Sequence, residues 1–196
     1  MKKNSLLLFV VAILFLSGCS IVNGVKSAYE LTKCNFDYKS ISDINIADVK
    51  LSDGLSVTNI ANLTKFLLSD FTSLPIDMVV NLNVSNPSDK TASIHGCDYT
   101  INIDGLDVAE GNLDSPLEVE AGKTGVMALR VKTDLKSVMT AENRSTIVSI
   151  VKNLAGISSE KSKINMKLNP YFKSNSRVVS SIAIPVSFEY NGKQSK

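Results

Sequence analysis

The sequence predicts a mostly β protein, an antiparallel β-sandwich with about two helices. Three observations predict this class. Apolar and polar residues alternate over several short segments, turn residues recur at intervals of about 8 to 12 residues, and helical spacing occupies only two long stretches of the mature chain. The composition agrees, because 44% hydrophobic and 20% charged residues are typical of a globular domain and exclude disordered, collagen-like and disulfide-scaffold proteins.

Residues 1–18 have the pattern of a secretory signal peptide. Lys2 and Lys3 precede an unbroken apolar run over residues 6–16. At about 1.5 Å per residue this run is too short to cross a hydrocarbon core of about 30 Å, so it is expected to target the protein and then be removed.

The four residues Leu16-Ser17-Gly18-Cys19 resemble the lipobox of bacterial lipoproteins. The resemblance implies that Cys19 receives diacylglycerol and becomes the first mature residue, held in the membrane by fatty acyl chains such as palmitate. The alternative is an ordinary signal peptide with a cysteine nearby by chance. Ser20 is not the aspartate that retains such proteins in the inner membrane of enteric bacteria, so in a bacterium with two membranes we expect the outer membrane, facing the periplasm.

The mature chain is expected to be electrically neutral. Removing residues 1–18 takes away two lysines and no acid, which reduces 21 cationic and 19 acidic side chains to 19 of each. A neutral chain without a long basic stretch lacks the attraction that dominates nucleic-acid binding. The expected partners are therefore the membrane, through the lipid on Cys19, and envelope proteins, with no nucleic acid, and the protein is expected to be a monomer.

Residues 19–33 are interpreted as a lipid-anchored tether, although weak helical spacing runs through Val22, Val25 and Tyr29. Residues 34–190 form the predicted sandwich domain. Its first strand spans residues 36–51, with an irregularity at Asp43 that indicates a bulge.

Residues 58–71 return to helical spacing, with Thr58 as the expected cap. The apolar face of this helix contains Ile60, Leu63, Phe66, Leu67 and Phe71.

The clearest alternation in the chain runs over residues 76–84, and Asn86-Pro87-Ser88-Asp89 ends it with turn chemistry. The next strand carries Tyr99, Ile101 and Ile103 and closes at Asp104-Gly105. Shorter strands are predicted at 108–113, 117–119 and 126–131.

A second helix is predicted over residues 140–155, with Gly156 at its carboxyl cap. Two strands then finish the domain, one over 164–168 before Asn169-Pro170 and one over 182–190. Pro185 places the last strand at an edge or a bulge. Residues 191–196 are expected to fray as a tail.

The stretch from Val79 to Val131 resembles the late embryogenesis abundant type 2 family, also called the water-stress and hypersensitive-response domain. The resemblance rests on the alternation that leads into Asn86-Pro87, on the Tyr99 to Gly111 segment and on the Leu117 to Thr124 segment. It implies an immunoglobulin-like or fibronectin-like β-sandwich with a helix, no catalytic residues, and a protective role connected with water stress.

Catalytic and metal chemistry find no support in the sequence, so we expect no enzyme and no cofactor. The single histidine, His95, is predicted to be a solvated loop residue beside Gly96 and Cys97, and no His or Cys pair has metal-ligand spacing. Asp43, Asp48 and Asp53 lack the spacing of a calcium loop.

Cys34 and Cys97 are the only other cysteines. If the first strand runs antiparallel to strand 76–85, both cysteines begin strands at the same end of the sandwich, and a disulfide is geometrically possible. Buried free cysteine is common, however, and two separate thiols are the favoured interpretation.

Two functional hypotheses follow. The first is a non-enzymatic, lipid-anchored envelope protein whose sandwich is stress-protective or binds other macromolecules. The second is a periplasmic carrier of a small apolar ligand or lipid, held between the sheets and the apolar faces of helices 58–71 and 140–155. The carrier hypothesis competes with the simpler interpretation that those faces close the core.

Overall fold

A computed structural model describes residues 30–51, 56–113, 115–174, 177–180 and 183–192. The predicted signal peptide, Cys19, Ser20 and Asp53 lie outside these residues. Among the helices of the described ranges, none is long and apolar enough to cross a membrane.

The described chain is mostly β, as predicted, with two α-helices, α1 at Val57–Leu68 and α2 at Arg144–Leu154, and a 3-10 turn at Leu135–Val138. The strands are β1 Asn35–Ile46, β2 Val49–Lys50, β3 Pro75–Ser85, β4 Ala92–Ile94, β5 Gly96–Ile103, β6 Leu106–Leu113, β7 Leu117–Val119, β8 Thr124–Asp134, β9 Ser162–Ser174, β10 Arg177–Ser180 and β11 Ile184–Tyr190.

The strands form two antiparallel sheets that pack as a sandwich. The first sheet has the order β2-β1-β3-β8. The second has the order β10-β9-β5-β6, and β11 also pairs with β9. A small ladder of β4 and β7 stands beside them. Alternate residues of each central strand point into one shared core, as Ile76, Met78, Val80, Leu82 and Val84 do along β3.

Two seams close the sandwich at its sides. At one seam the Tyr99 hydroxyl donates to the Arg130 carbonyl and the Thr133 hydroxyl donates to the Val108 carbonyl, which joins the second sheet to β8. At the other seam the Tyr38 ring of β1 stacks on the Phe188 ring of β11, with 4.2 Å between ring centroids. One seam is therefore hydrogen-bonded and the other aromatic.

The strand directions define two different ends of the sandwich. Asn35 pairs with Ser85, so β1 begins where β3 finishes, next to the amino-terminal segment. We call this the tether end. Pro75 pairs with Asp134 at the opposite end. We call that the helical end, because α1 leads into β3 there and α2 follows β8.

The first predicted strand is wrong as a single element. β1 stops at Ile46, and the chain turns at Ala47 and Asp48, whose φ angles are 48° and 65°, before β2 pairs back onto β1. Two consecutive positive φ angles are those of a type I′ hairpin turn, whose twist matches that of the flanking strands. The irregularity predicted at Asp43 is confirmed, because the β1–β3 register shifts between Ser42 and Asn45.

The predicted helix boundaries also need correction. Ser56, not Thr58, caps α1, because its hydroxyl accepts a hydrogen bond from the Asn59 N–H at 3.0 Å. The helix stops at Leu68, and Phe71 is buried beyond it. α2 begins only at Arg144, because Thr140 and Asn143 bond each other's backbone in a turn. The predicted Gly156 cap is confirmed by its φ of 70°.

The strand predicted to stop before Asn169-Pro170 continues to Ser174. On one side Pro170 pairs in register with Cys97 of β5. On the other side β11 pairs with β9 only up to Leu168 and β10 pairs from Tyr171. The proline therefore lies at the break between two partner strands, a position compatible with its missing N–H. The predicted tail also begins later, because the Gly192 N–H donates to the Asn153 carbonyl at 2.9 Å.

Candidate functional site

The tether end holds the first described residues firmly against the sandwich. Glu30 and Leu31 are both buried, and the Lys33 ammonium donates to the Glu30 carboxylate at 2.9 Å. That hydrogen bond lowers the pKa of Glu30 against the opposing effect of its burial, and a further hydrogen bond from Ser88 adds to the lowering. The amino-terminal segment thus meets the domain at a defined place.

Asn86 organises the turn beneath that segment. Its side-chain amide is buried and donates to the carbonyls of Lys90, at 2.8 Å, and Val119, at 2.9 Å, with a longer contact to that of Glu120. Its side-chain oxygen accepts from both the N–H and the hydroxyl of Ser88. One amide therefore joins the end of β3 to β7 and to the turn, a role that the sequence analysis reduced to turn formation.

The helical end is held by a second polar residue, Asp134. Its carboxylate accepts from the Ser73 hydroxyl and the Leu74 N–H at 2.7 Å and from the Lys136 N–H at 2.9 Å. Partial burial raises the pKa of Asp134, but these hydrogen bonds outweigh it, so the pKa lies below its ordinary value. Asp134 thereby ties the loop before β3 to the 3-10 turn after β8.

The two helices close the core at this end. Leu63 and Leu67 of α1 belong to the buried cluster, as do Ile147, Val151 and Leu154 of α2. The apolar faces required by the carrier hypothesis are thus packed against the sheets.

An aromatic pair lies at the carboxyl end of α1, beside the start of α2. The Phe66 and Phe71 rings stack with 5.1 Å between centroids. The Lys136 ammonium lies 5.5 Å and the Arg144 guanidinium 5.2 Å from the Phe71 ring centroid. Cations at this distance over a ring are attracted by its π electrons. Arg144 also donates to the Ser69 carbonyl, which links α2 to the end of α1.

Part of α1 is not covered by the described residues. Val57 and Leu68 are 84% and 82% exposed, and Ala61 between them is exposed as well. These three residues stand at positions i, i+4 and i+11, which fall within about 40° on the helix surface. We call them the α1 stripe. The α1 stripe was not predicted from the sequence, because the periodicity of Leu63 and Leu67 is stronger and indicates the core-facing side of the helix.

Three open clefts run around the helical end. They have volumes of about 520, 350 and 380 Å³ and share residues, since Lys132 and Thr133 line the first two and Asp48 and Pro75 line the second and third. Two carboxylates along these clefts already accept hydrogen bonds within the protein. Asp77 accepts two from Arg130, and Asp134 accepts those described above.

Of the described residues, the single histidine lines none of these three clefts. His95 is exposed in the bend between β4 and β5, which fits a solvated residue, although Gly96 and Cys97 belong to β5 and not to a loop. Within the described ranges, no three His, Cys, Asp or Glu side chains lie together so that they could hold a metal.

Cys34 and Cys97 are not bridged to each other in the structure, and their environments differ. The half-buried Cys34 thiol contacts the Glu30 carbonyl, and burial raises its pKa. Cys97 is fully buried in β5, and burial raises its pKa to about 11. Two free thiols stay our prediction. Counting thiols in denaturant with and without reductant tests it, because a disulfide bridge would leave no free thiol before reduction.

A family model described as late embryogenesis abundant protein, LEA_2, matches residues 81–189. This range is more than half of the chain and covers strands of both sheets. No curated protein sequence matches the chain.

Three solved structures align with this chain at low sequence identity. A protein from Archaeoglobus fulgidus aligns with 15% identity and a TM-score of 0.37, covering 79% of this chain and 97% of that chain. A solution structure from Arabidopsis thaliana aligns with 12% identity and a TM-score of 0.40, covering 80% and 77%. A solution structure of a protein described as late embryogenesis abundant aligns with 14% identity and a TM-score of 0.41, covering 96% and 83%.

Proposed function

The chain belongs to the late embryogenesis abundant (LEA_2) family, and from this premise we propose that it is a non-enzymatic, lipid-anchored protein of the bacterial cell envelope. Its β-sandwich binds or shields other macromolecules, including under water stress. The observation that carries the anchoring is the Leu16-Ser17-Gly18-Cys19 sequence behind a basic and apolar leader. Delivery to the outer membrane, facing the periplasm, follows from Ser20.

The tether end supports this attachment. Glu30, which lies 11 residues after Cys19, is buried against the sandwich together with Leu31. A chain of that length spans at most about 40 Å. A lipid on Cys19 would therefore keep the sandwich close to the membrane surface, where it can meet lipids and envelope proteins.

A non-enzymatic role is supported by the side chains of the helical end. Asp77 and Asp134 line its clefts and hold the fold together, the first through Arg130 and the second through Ser73. The exposed His95 lies in the bend before β5. A nucleophile, a base and an orienting group would have to converge for acyl-transfer chemistry. We do not favour the carrier hypothesis, because the apolar helix faces are packed in the core.

Lipidation is tested by expressing the full chain in a bacterial host and separating membranes from soluble fractions. The wild type is expected in the membrane fraction, with diacylglycerol on its amino-terminal peptide in mass spectrometry. Cys19→Ala should leave an uncleaved precursor or a soluble form, whereas the matched variant Cys34→Ala should be lipidated normally. A processed protein that stays with membranes without diacylglycerol would contradict the proposal.

Shielding is tested with the lipidated protein in vesicles that enclose an aggregation-prone enzyme, dried and rehydrated. Retention of more enzyme activity than with the same vesicles carrying an unrelated lipoprotein is the expected result. Equal losses of enzyme activity in both kinds of vesicle would contradict the protective role. Partner binding would then be tested by crosslinking in intact cells and identifying the envelope proteins that are joined to this one.

A further inference from the structure

The α1 stripe is an apolar feature that the described fold leaves uncovered. Val57 and Leu68 are among the most exposed large hydrophobic residues, with 84% and 82% of their surface accessible. Ala61 lies between them on the same side of the helix. Since Leu63 and Leu67 occupy the core-facing side, α1 is apolar over well more than half of its circumference. A helix of this kind is unusual on a protein surface that faces only water.

We propose that the α1 stripe docks on the surface of a phospholipid bilayer and gives the anchored protein a second membrane contact. The inference rests on the proposed lipid anchor and deepens it, because a second contact would also define how the sandwich is oriented on the membrane. One attachment point alone does not define this orientation. Two contacts define which face of the sandwich lies against lipid.

The charges of the helix fit a membrane surface. α1 contains no acidic residue and one cation, Lys65. Lys65 lies beside Ala61 around the helix, at the edge of the stripe. Apolar side chains flanked by lysine are the pattern of helices that lie in the interface of anionic membranes.

A second copy of the chain fits the stripe less well. A stable protein interface uses about 20 to 30 residues on each side, whereas the stripe offers three apolar side chains. Two copies of α1 would also bring two Lys65 side chains together without a carboxylate on the helix to pair with them.

The length of the tether permits the contact. α1 lies at the helical end, and the amino-terminal segment enters at the tether end, so the two contacts are separated by about the length of β3. Its 11 residues correspond to about 36 Å. The stretch from Cys19 to Glu30 can span a similar distance. The sandwich can therefore lie along the membrane with its lipid anchor and α1 on the same leaflet.

The experiment places an environment-sensitive fluorophore on the full lipidated protein in vesicles of phosphatidylethanolamine and phosphatidylglycerol. The label is attached through Ala61→Cys in the stripe or through Ala128→Cys on β8, at the opposite edge of the first sheet from β2. Both alanines are exposed. Cys34→Ala removes the half-buried thiol from the background, and the buried Cys97 thiol, with its raised pKa of about 11, reacts slowly.

Emission from position 61 is expected to shift to the blue and to be quenched by nitroxide-labelled lipid, whereas emission from position 128 is unaffected. Replacing Val57 and Leu68 together by Ser should weaken this contact by about tenfold or more, because two apolar side chains lose their contact with lipid. Val57→Ile with Leu68→Met should retain it. The thermal midpoint of the Ser variant should match the wild type, since both side chains are exposed.

Three outcomes would overturn the inference. A probe at position 61 that stays unquenched on vesicle-bound protein removes the docking contact while the lipid anchor stands. The second outcome is a probe that is already shielded in the unacylated mature chain without vesicles. In that case the stripe is covered by another part of the same chain if the protein sediments as a monomer, or by a second copy if it sediments as a dimer. Protein that does not remain with the vesicles at all removes both the anchor and the inference.

Discussion

The two ends of the sandwich differ in what closes them. At the tether end a buried amide, Asn86, and a short salt bridge between Glu30 and Lys33 hold loops together through hydrogen bonds. At the helical end the core is covered by apolar side chains of α1 and α2, and Asp134 only ties the connecting loops. Polar groups therefore determine geometry where the amino-terminal segment enters, and apolar burial closes the end that carries the α1 stripe.

The difference between the two ends explains why the helical end leaves apolar surface exposed. A helix that caps a core buries one side and leaves the other to solvent or a partner. A loop network such as that of Asn86 uses its polar groups internally and offers little to a partner. The following four changes test this contrast, from the largest expected effect to the smallest.

Leu63→Ala should be the most destabilising, because it removes a fully buried side chain from the cap of the helical end. A loss of about 3 kcal/mol in the free energy of unfolding is expected, or a decrease of about 6–12 °C in the thermal midpoint. Leu68→Ala, five residues away on the exposed side of the same helix, is the matched control and should change the midpoint little. Equal effects of the two would show that α1 does not cap the core as described.

Asn86→Ala should cost about 2 kcal/mol, because the carbonyls of Lys90 and Val119 lose a donor in a buried setting. Chemical denaturation followed by circular dichroism measures the loss. Asn83→Ala, at a half-buried amide of β3 three residues earlier, serves as the control and should cost much less. A neutral result at Asn86 would mean that water replaces the amide, and that the tether end is not held by it.

Asp134→Asn should destabilise by about 1 kcal/mol at neutral pH, because charge-assisted hydrogen bonds to the Leu74 and Lys136 N–H groups become neutral ones. The pKa of Asp134 is lowered by folding, so its stabilising contribution is present above the unfolded pKa near 4 and is lost as the pH falls through the folded value. The wild type and the variant should therefore converge in thermal midpoint in acid. A difference that persists at low pH would contradict this assignment.

Glu30→Gln should have the smallest effect on global unfolding and a clear local one. The pKa of Glu30 is lowered by the Lys33 hydrogen bond, so its contribution is likewise present above the unfolded pKa and lost in acid. Amide hydrogen exchange at Lys33 and Cys34, whose N–H groups donate to the carbonyls of Glu30 and Leu31, should accelerate in the variant. Unchanged exchange would indicate that burial of Leu31 alone holds the segment.

Much of the sandwich could be predicted because its strands alternate clearly. β3 pairs on both sides over nearly its whole length, so its apolar residues face one core and leave a strong period of two. The predictions were wrong where a local signal was ambiguous. The turn at Ala47 and Asp48 uses two left-handed residues without the expected glycine or asparagine, and β2 is only two residues long.

The candidate sites were harder to predict, because each depends on residues that are distant in sequence. Asn86-Pro87 is visible as turn chemistry, but the partner carbonyl of Val119 lies 33 positions away. Asp134 carries no motif, and its role depends on Ser73. The α1 stripe could have been found from the spacing of Val57, Ala61 and Leu68, yet spacing alone does not show which of two apolar faces is covered.

Local sequence by itself determined the antiparallel β class, and it predicts an export leader and a lipidation site at Cys19, because each depends on neighbouring residues and a short period. Only the tertiary structure decided which strands share a sheet, that Asn86 joins β3 to β7, and that one face of α1 lies outside the core. The physical reason is that strand pairing and burial depend on contacts between distant segments. A periodic pattern records that a face is apolar, and the packing of the whole chain selects what lies against it.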